Sequence, residues 1–241
     1  MIYLFVLILG LVIGSFLNVC IYRIPLKQSI VTTPSHCTAC GKRIKWYDLI
    51  PVLSYLLLGR KCRFCKQKIS IRYMQVELLN AAAYLWVYSI YGLSVQFFAL
   101  SFLSSCLVVI SFIDFEIQII PNGIILLMLV IGLMMPHFNR NITYMDAVLG
   151  FFAASVPLLL TAILSKGGMG GGDIKLMAVA GLFLGWNQIL LALVIGAVIG
   201  SVIGIALILL KRIQRRDMIP FGPFLAAGIF IAMLYGQQIL A

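Results

Sequence analysis

The sequence predicts an all-α fold, a polytopic bundle of about eight membrane-spanning helices that carries a small zinc-binding loop on its cytoplasmic side. Three observations lead there. The 241 residues are 63% hydrophobic and only 10% charged, whereas soluble domains carry about a quarter charged residues. Apolar runs close to the roughly 20 residues that a bilayer requires recur along the whole chain. The charges that remain are gathered: Arg23, Lys27, Lys42, Arg43, Lys45, Arg60, Lys61, Arg63, Lys66, Lys68 and Arg72 fall in one polar stretch, and Lys211, Arg212, Arg215 and Arg216 in another. Basic loops of this kind mark the cytoplasmic side of membrane proteins. Topology therefore accounts for the net charge of +11, and no nucleic-acid partner is expected.

The first apolar run, residues 2–21, has its first basic residue, Arg23, after it. Signal peptides carry positive charge before the apolar run, so this segment is expected to be an uncleaved anchor with its N-terminus outside. Further spans are expected at 76–93, 95–113, 122–138, 145–165, 174–186, 188–210 and 219–240. The 174–186 run is short and is expected to be tilted or partly re-entrant. Eight spans place loops 22–75, 114–121, 166–173 and 211–218 inside, and leave Arg140 as the only basic residue outside. The domain organisation expected is a first helix (1–21), a cytoplasmic cysteine loop (22–75) and a transmembrane domain (76–241). Leu49–Leu58 is apolar but too short to span, so it is expected to dip into the interface or pack the loop. Gly10 and Gly14, and Gly196, Gly200 and Gly204, recur at four-residue spacing, which suits close helix packing.

Four of the six cysteines form two pairs in the basic loop, Cys37-x-x-Cys40 and Cys62-x-x-Cys65, with 21 residues between them. Four thiolates suit a tetrahedral, structural zinc site, because four protein ligands leave no open position for water. Disulfides are disfavoured in a cytosolic loop. Gly41 follows the first pair, where a tight turn needs it. Cys20 and Cys106 lie in apolar spans and read as core residues.

The chain has seven acidic residues: Asp48, Glu77, Asp114, Glu116, Asp146, Asp173 and Asp217. Carboxylates at membrane depth are costly and mark candidate sites. Asp114 ends the third span, in Ser111-Phe-Ile-Asp114-Phe-Glu116. Asp173 ends the glycine run of Gly170-Gly-Gly172-Asp173-Ile-Lys175. Two spans separate them, so both are expected on the cytoplasmic side. Asp173 opens a helix, where the dipole favours charge; Asp114 closes one, where it favours the neutral form. A carboxylate beside a carboxylic acid is the arrangement that lets one group activate water while the other protonates a carbonyl. Glu116 and Glu77 read as supporting or substrate-contacting groups, the latter near Arg72. Asp48, Asp146 and Asp217 read as ordinary loop or interface charges.

Several motifs occur in order: Gly14-Ser-Phe-Leu-Asn18-Val-Cys-Ile-Tyr-Arg23-Ile-Pro25, the four-cysteine loop, Ile69-Ser-Ile-Arg72-Tyr73, Asp114 with Ile120-Pro121, Gly170-Gly-Gly-Asp173-Ile-Lys175, and Pro220-Phe-Gly-Pro-Phe-Leu-Ala-Ala-Gly228. Together they resemble the bacterial type IV prepilin peptidases, and the resemblance covers nearly the whole chain. It implies an intramembrane aspartic protease of the GxGD type that cleaves basic leaders from prepilins and pseudopilins at the cytoplasmic face. Asp114 and Asp173 match the two catalytic aspartates. Gly170, Gly172 and Lys175 belong to the second motif, and Cys37, Cys40, Cys62 and Cys65 match the zinc cysteines. The resemblance also implies S-adenosylmethionine-dependent N-methylation of the new terminus, associated with residues 22–75. The chain departs from frequent family forms at Asn122, where an Asp often follows the Pro, and at Met74, where a Pro often follows the Arg-Tyr. No glycine-rich nucleotide fingerprint marks a cofactor pocket.

Two other classes fit parts of the pattern. A transporter with proton- or cation-binding carboxylates would place them near the bilayer midplane, whereas here they fall at span ends. A non-catalytic pilus assembly module built on the zinc loop would depend on the cysteines and not on the aspartates.

Overall fold

A computed structural model describes residues 1–138, 142–165, 168–212, 214 and 219–240. Arg140, Gly167, Arg215, Arg216 and Asp217 lie outside the described residues. The described residues are helical throughout the apolar runs: α1 (Ile2–Arg23), a short α2 (Leu53–Leu57), α3 (Arg72–Tyr91), α4 (Val95–Ile117), α5 (Asn122–Phe138), α6 (Tyr144–Leu164), α7 (Gly171–Leu184), α8 (Trp186–Leu209) and α9 (Gly222–Leu240). Only isolated bridges represent β-structure among them. All eight expected spans are helices. Five of them, α1, α4, α6, α8 and α9, are long and apolar enough to cross a bilayer, and α5 is a shorter apolar helix. The chain is a multi-pass membrane protein.

The chain divides into two compact units, Met1–Leu93 and Ser94–Ala241. Composition changes at residue 75, and the boundary expected from sequence follows that change. Packing instead groups α3 with α1 in the first unit. The two helices run antiparallel through small residues. A Cβ on Gly10 would lie 2.6 Å from Ala81 Cα, and one on Gly14 2.7 Å from Glu77 Cα. Lipid tails are as apolar as leucine, so helices in a bilayer associate through such close contacts and through hydrogen bonds. The buried Asn80 amide donates to Gly10 O at 2.8 Å, and the Asn18 amide donates to Tyr73 O at 3.0 Å. At the end of α1 the buried guanidinium of Arg23 donates to Ser29 O (3.0 Å), Thr33 O (2.6 Å) and Pro34 O (3.1 Å). One side chain thereby fixes the departure of the polar loop.

In the second unit α7 is the core. Every residue from Leu176 to Leu184 is buried. Its 14 residues span about 21 Å, short of the roughly 30 Å hydrocarbon layer. That shortfall accounts for the brevity of the 174–186 run: the helix is sheathed by protein. It crosses α6 where Gly181 meets the Gly150 backbone, and α5 where Gly132 meets Leu182 and Phe183. The Gly196–Gly200 pair on α8 lies against Phe224 and Leu225 of α9, while Gly204 is more loosely packed. Thr143 and Asp146 cap α6 reciprocally.

Candidate active site

Three helix ends converge in the second unit. The last turn of α4 carries Asp114, which is 6% exposed. The helix stops because Gln118 turns left-handed at φ 55°, its N–H closing onto Asp114 O at 2.9 Å. Pro121 then leads into α5, since a proline at a helix start loses no intrahelical bond. Ile120, within this turn, packs on the start of α7, where a Cβ on Gly172 would lie 2.8 Å from Ile120 Cβ.

The α7 end begins after Gly170, its N-cap. Asp173 is the third residue of the helix, 8% exposed, and its N–H bonds Gly170 O at 3.1 Å. The side chain folds back over Gly170, whose Cβ would sit 3.1 Å from Asp173 Oδ2. Gly170 makes room for the carboxyl and Gly172 for the α4–α5 turn.

The third end is the N-terminus of α9. The Gly222 N–H donates to Asp114 Oδ2 at 2.9 Å in a buried bond, across 108 positions of sequence. A Cβ on Gly222 would lie 2.7 Å from that oxygen, so the position accepts only glycine without displacing the carboxyl. Asp114 and Asp173 thus both lie buried at helix ends that the Ile120–Gly172 and Gly222–Asp114 contacts tie together. Buried like-charged groups at short range do not both ionise readily, and such a pair can share one proton and polarise a water molecule.

Lys175, two residues after Asp173, is exposed and donates to Asn122 Oδ1 at 3.0 Å, joining the starts of α7 and α5. Glu116 is exposed in the last turn of α4. Glu77, in the first unit, is buried and accepts the Val52 N–H at 2.8 Å. It fastens the 50–58 segment to α3. Gly222 and the Lys175–Asn122 bond escape the sequence reading. The Pro220-Phe-Gly-Pro motif signals a special backbone, but only the fold reveals what its glycine faces.

The four loop cysteines also converge. Their Sγ atoms all lie within 4.8 Å of one another, and Cys37 and Cys65 are 3.8 Å apart. A tetrahedron with Zn–S bonds of about 2.3 Å has edges of about 3.8 Å, so the donor set fits zinc. Two similar knuckles build it. Cys37 N–H bonds Lys42 O at 3.0 Å, and Cys62 N–H bonds Gln67 O at 2.8 Å. Gly41 (φ 69°) and Lys66 (φ 60°) occupy the same left-handed place after each pair. Backbone N–H groups of Cys65 and Phe64 draw the Cys62 thiol down, whereas burial and the neighbouring thiols push Cys65 up. Alongside, Arg63 holds Asp48 through both carboxylate oxygens, at 2.8 and 2.6 Å.

Comparison with known proteins gives two family matches, one on each side of the division at Leu93. Residues 8–91 match the bacterial peptidase A24 N-terminal domain, and residues 101–205 match the type IV leader peptidase family. Among similar curated proteins is a prepilin leader peptidase/N-methyltransferase of Pseudomonas putida, 35% identical, with 97% of this chain and 91% of the relative covered. Those of Pseudomonas aeruginosa and Bacillus subtilis are each 34% identical, over 97% of this chain and 90% and 94% of their own lengths. No solved structure matches the chain significantly.

Proposed function

Because the chain belongs to the type IV leader peptidase family, we propose that it is an aspartic endopeptidase of the bacterial cytoplasmic membrane that removes the basic leader from type IV prepilins or pseudopilins. The observation that carries this reading is the burial of Asp114 and Asp173 in one locus where three helix ends meet. In the reaction one carboxylate takes a proton from water as its oxygen attacks the scissile carbonyl carbon, while the neutral partner gives its proton to the carbonyl oxygen. The resulting gem-diol collapses: the C–N bond breaks, the amine takes the first proton, and a hydroxyl proton restores the second acid. Peptide and water become acid and amine, and neither ATP nor a metal enters.

Recognition relies on the bilayer and on shape. A prepilin brings a basic leader followed by an apolar helix, and the net positive loops repel the leader. Glu116, exposed on the same helix end as Asp114, offers it a local negative charge. The basic stretch 22–75, Asp114 and Asp173 all lie on the cytoplasmic side in this reading, with the N-terminus outside.

Cys37, Cys40, Cys62 and Cys65 would hold zinc, which contributes folding free energy to the loop and leaves no coordination position for catalysis. The relatives' names support a second activity, N-methylation of the new terminus, for which S-adenosylmethionine is the methyl donor. The first unit's two carboxylates already have partners, Asp48 in Arg63 and Glu77 in the Val52 amide. Proteolysis runs independently of the methylation.

The test is leader removal from a co-expressed prepilin, read by the size and N-terminus of the product. Asp114→Asn and Asp173→Asn each leave the prepilin uncut. Complete processing by either variant removes the dyad, and solute flux dependent on Asp173 without cleavage would favour a transporter.

A further inference from the structure

The geometry points to Asp114 as the ionised base of the pair, Asp173 as the protonated acid, and Gly222 as the positioning residue that imposes this division. The inference rests on the dyad reading above and assigns the roles within it. Each aspartate's own helix suggests the reverse: Asp114 sits at the negative end of α4 and Asp173 at the positive end of α7. The decisive neighbour is α9. Its N-terminus, which carries partial positive charge, is aimed at Asp114, and the first N–H of the helix is spent on Asp114 Oδ2 at 2.9 Å. Hydrogen bonds from backbone amides favour the charged form of a carboxyl. Asp173 is equally buried, and among the described residues no hydrogen-bond donor reaches its carboxyl. The Asp114 carboxyl lies at the same convergence of helix ends, and its charge acts on Asp173. A buried carboxyl without a donor, facing a negative charge, is stable with its proton on.

Among the described residues, the other titratable groups at this end leave the division intact. Lys175 on α7 is turned to Asn122, and Glu116 on α4 is exposed. The α5 and α9 helices carry only His137 and Tyr235, both well along toward their opposite ends, and Lys211 and Arg212 lie exposed after α8. In the reaction, then, Asp114 takes the proton from water and later gives it to the leaving amine. Asp173 protonates the carbonyl oxygen and recovers its proton when the gem-diol collapses.

Two measurements on the full-length protein in detergent micelles test this. Epoxides alkylate ionised carboxylates, whereas diazo esters modify protonated ones, and peptide mapping by mass spectrometry locates each adduct. The expected result is the epoxide ester on Asp114 and the diazo adduct on Asp173. Epoxide labelling of Asp173, of both alike or of neither overturns the assignment. The dyad survives such a result if both Asn variants remain inactive, and fails separately if either cleaves. The second measurement is the pH profile of prepilin cleavage by Gly222→Ala. Its methyl group is placed against Asp114 Oδ2; at least a tenfold loss in kcat with KM unchanged is expected, with the acidic limb moved to higher pH. Gly228→Ala is the structural comparison, since its Cβ strikes the Ala192 and Gly196 backbone of α8 and not a carboxyl. That variant loses thermal stability with the profile unmoved. A Gly222→Ala profile that coincides with the Gly228→Ala profile overturns the role of Gly222.

Discussion

Replacing Arg23 with methionine keeps an unbranched apolar stem and removes the guanidinium that closes the first loop. Three donated bonds disappear, to Ser29 O, Thr33 O and Pro34 O. Hydrogen bonds to a charged group contribute about 1.5–3 kcal/mol each. The acceptors lie in a mostly exposed segment, where water replaces part of what is lost, so the low end of that range applies and the three together come to about 4.5 kcal/mol. Allowing for relaxation of the chain, opening of residues 24–36 becomes easier by about 2–4 kcal/mol, or about 30- to 1,000-fold, since 1.4 kcal/mol is a factor of ten. Amide hydrogen exchange in detergent reads this directly, because Lys27, Gln28, Val31 and Thr32 each donate an N–H bond within the loop. Those amides accelerate by that factor in Arg23→Met, while peptides from α6 exchange as in wild type. Exchange in 24–36 within twofold of wild type would show that the Arg23 bonds do not hold the loop, and the argument from the buried guanidinium would be wrong.

The purified protein carries about one zinc per chain by elemental analysis, and Cys62→Ser lowers that content and exposes the remaining loop thiols to alkylation; full zinc occupancy in Cys62→Ser would reject the four-cysteine site. Gly181→Ala lowers the thermal midpoint sharply, with a cost of about 3 kcal/mol or more, because its methyl group meets the Gly150 backbone, which has no rotamer to yield. Gly123→Ala, where nothing lies within 4 Å, melts like wild type, and equal melting of both variants would contradict the packing described. Arg63 beside Asp48 holds its carboxyl below the usual carboxylate range. A depressed folded value contributes stability that is present above about pH 4 and lost as pH falls further. Tryptic nicking at Arg63 is therefore faster in Asp48→Asn by the same factor at about pH 5 and pH 8, and wild-type nicking that already rises at about pH 5 would contradict this.

The sequence displayed the helices, the cysteine pairs and both buried aspartates, because each is a local signal: an apolar run, a two-residue spacing, a carboxylate at the edge of an apolar segment. What it concealed depends on residues far apart. The placement of α3 beside α1 follows from Gly10 and Gly14 admitting Ala81 and Glu77, whereas composition alone divides the chain at residue 75. The brevity of α7 makes sense once it is seen wrapped by protein. The bond that Glu77 accepts from the Val52 amide joins residues 25 positions apart and has no local signal. The second zinc knuckle repeats the first with Lys66 in the left-handed place that Gly41 advertises, so only one of the two turns announced itself. The charge on each aspartate reads one way from its own helix and the other way once α9, more than a hundred residues on, delivers Gly222 to Asp114.

Cleavage of a purified prepilin by the purified full-length protein, without ATP or added metal, tests the central claim most directly. Wild type releases the leader at a single bond. Asp114→Asn and Asp173→Asn, each folded by thermal melting, lose at least about 1,000-fold in rate, as expected when two groups act as one unit. A folded Asn variant that cleaves at a rate near wild type would contradict the account.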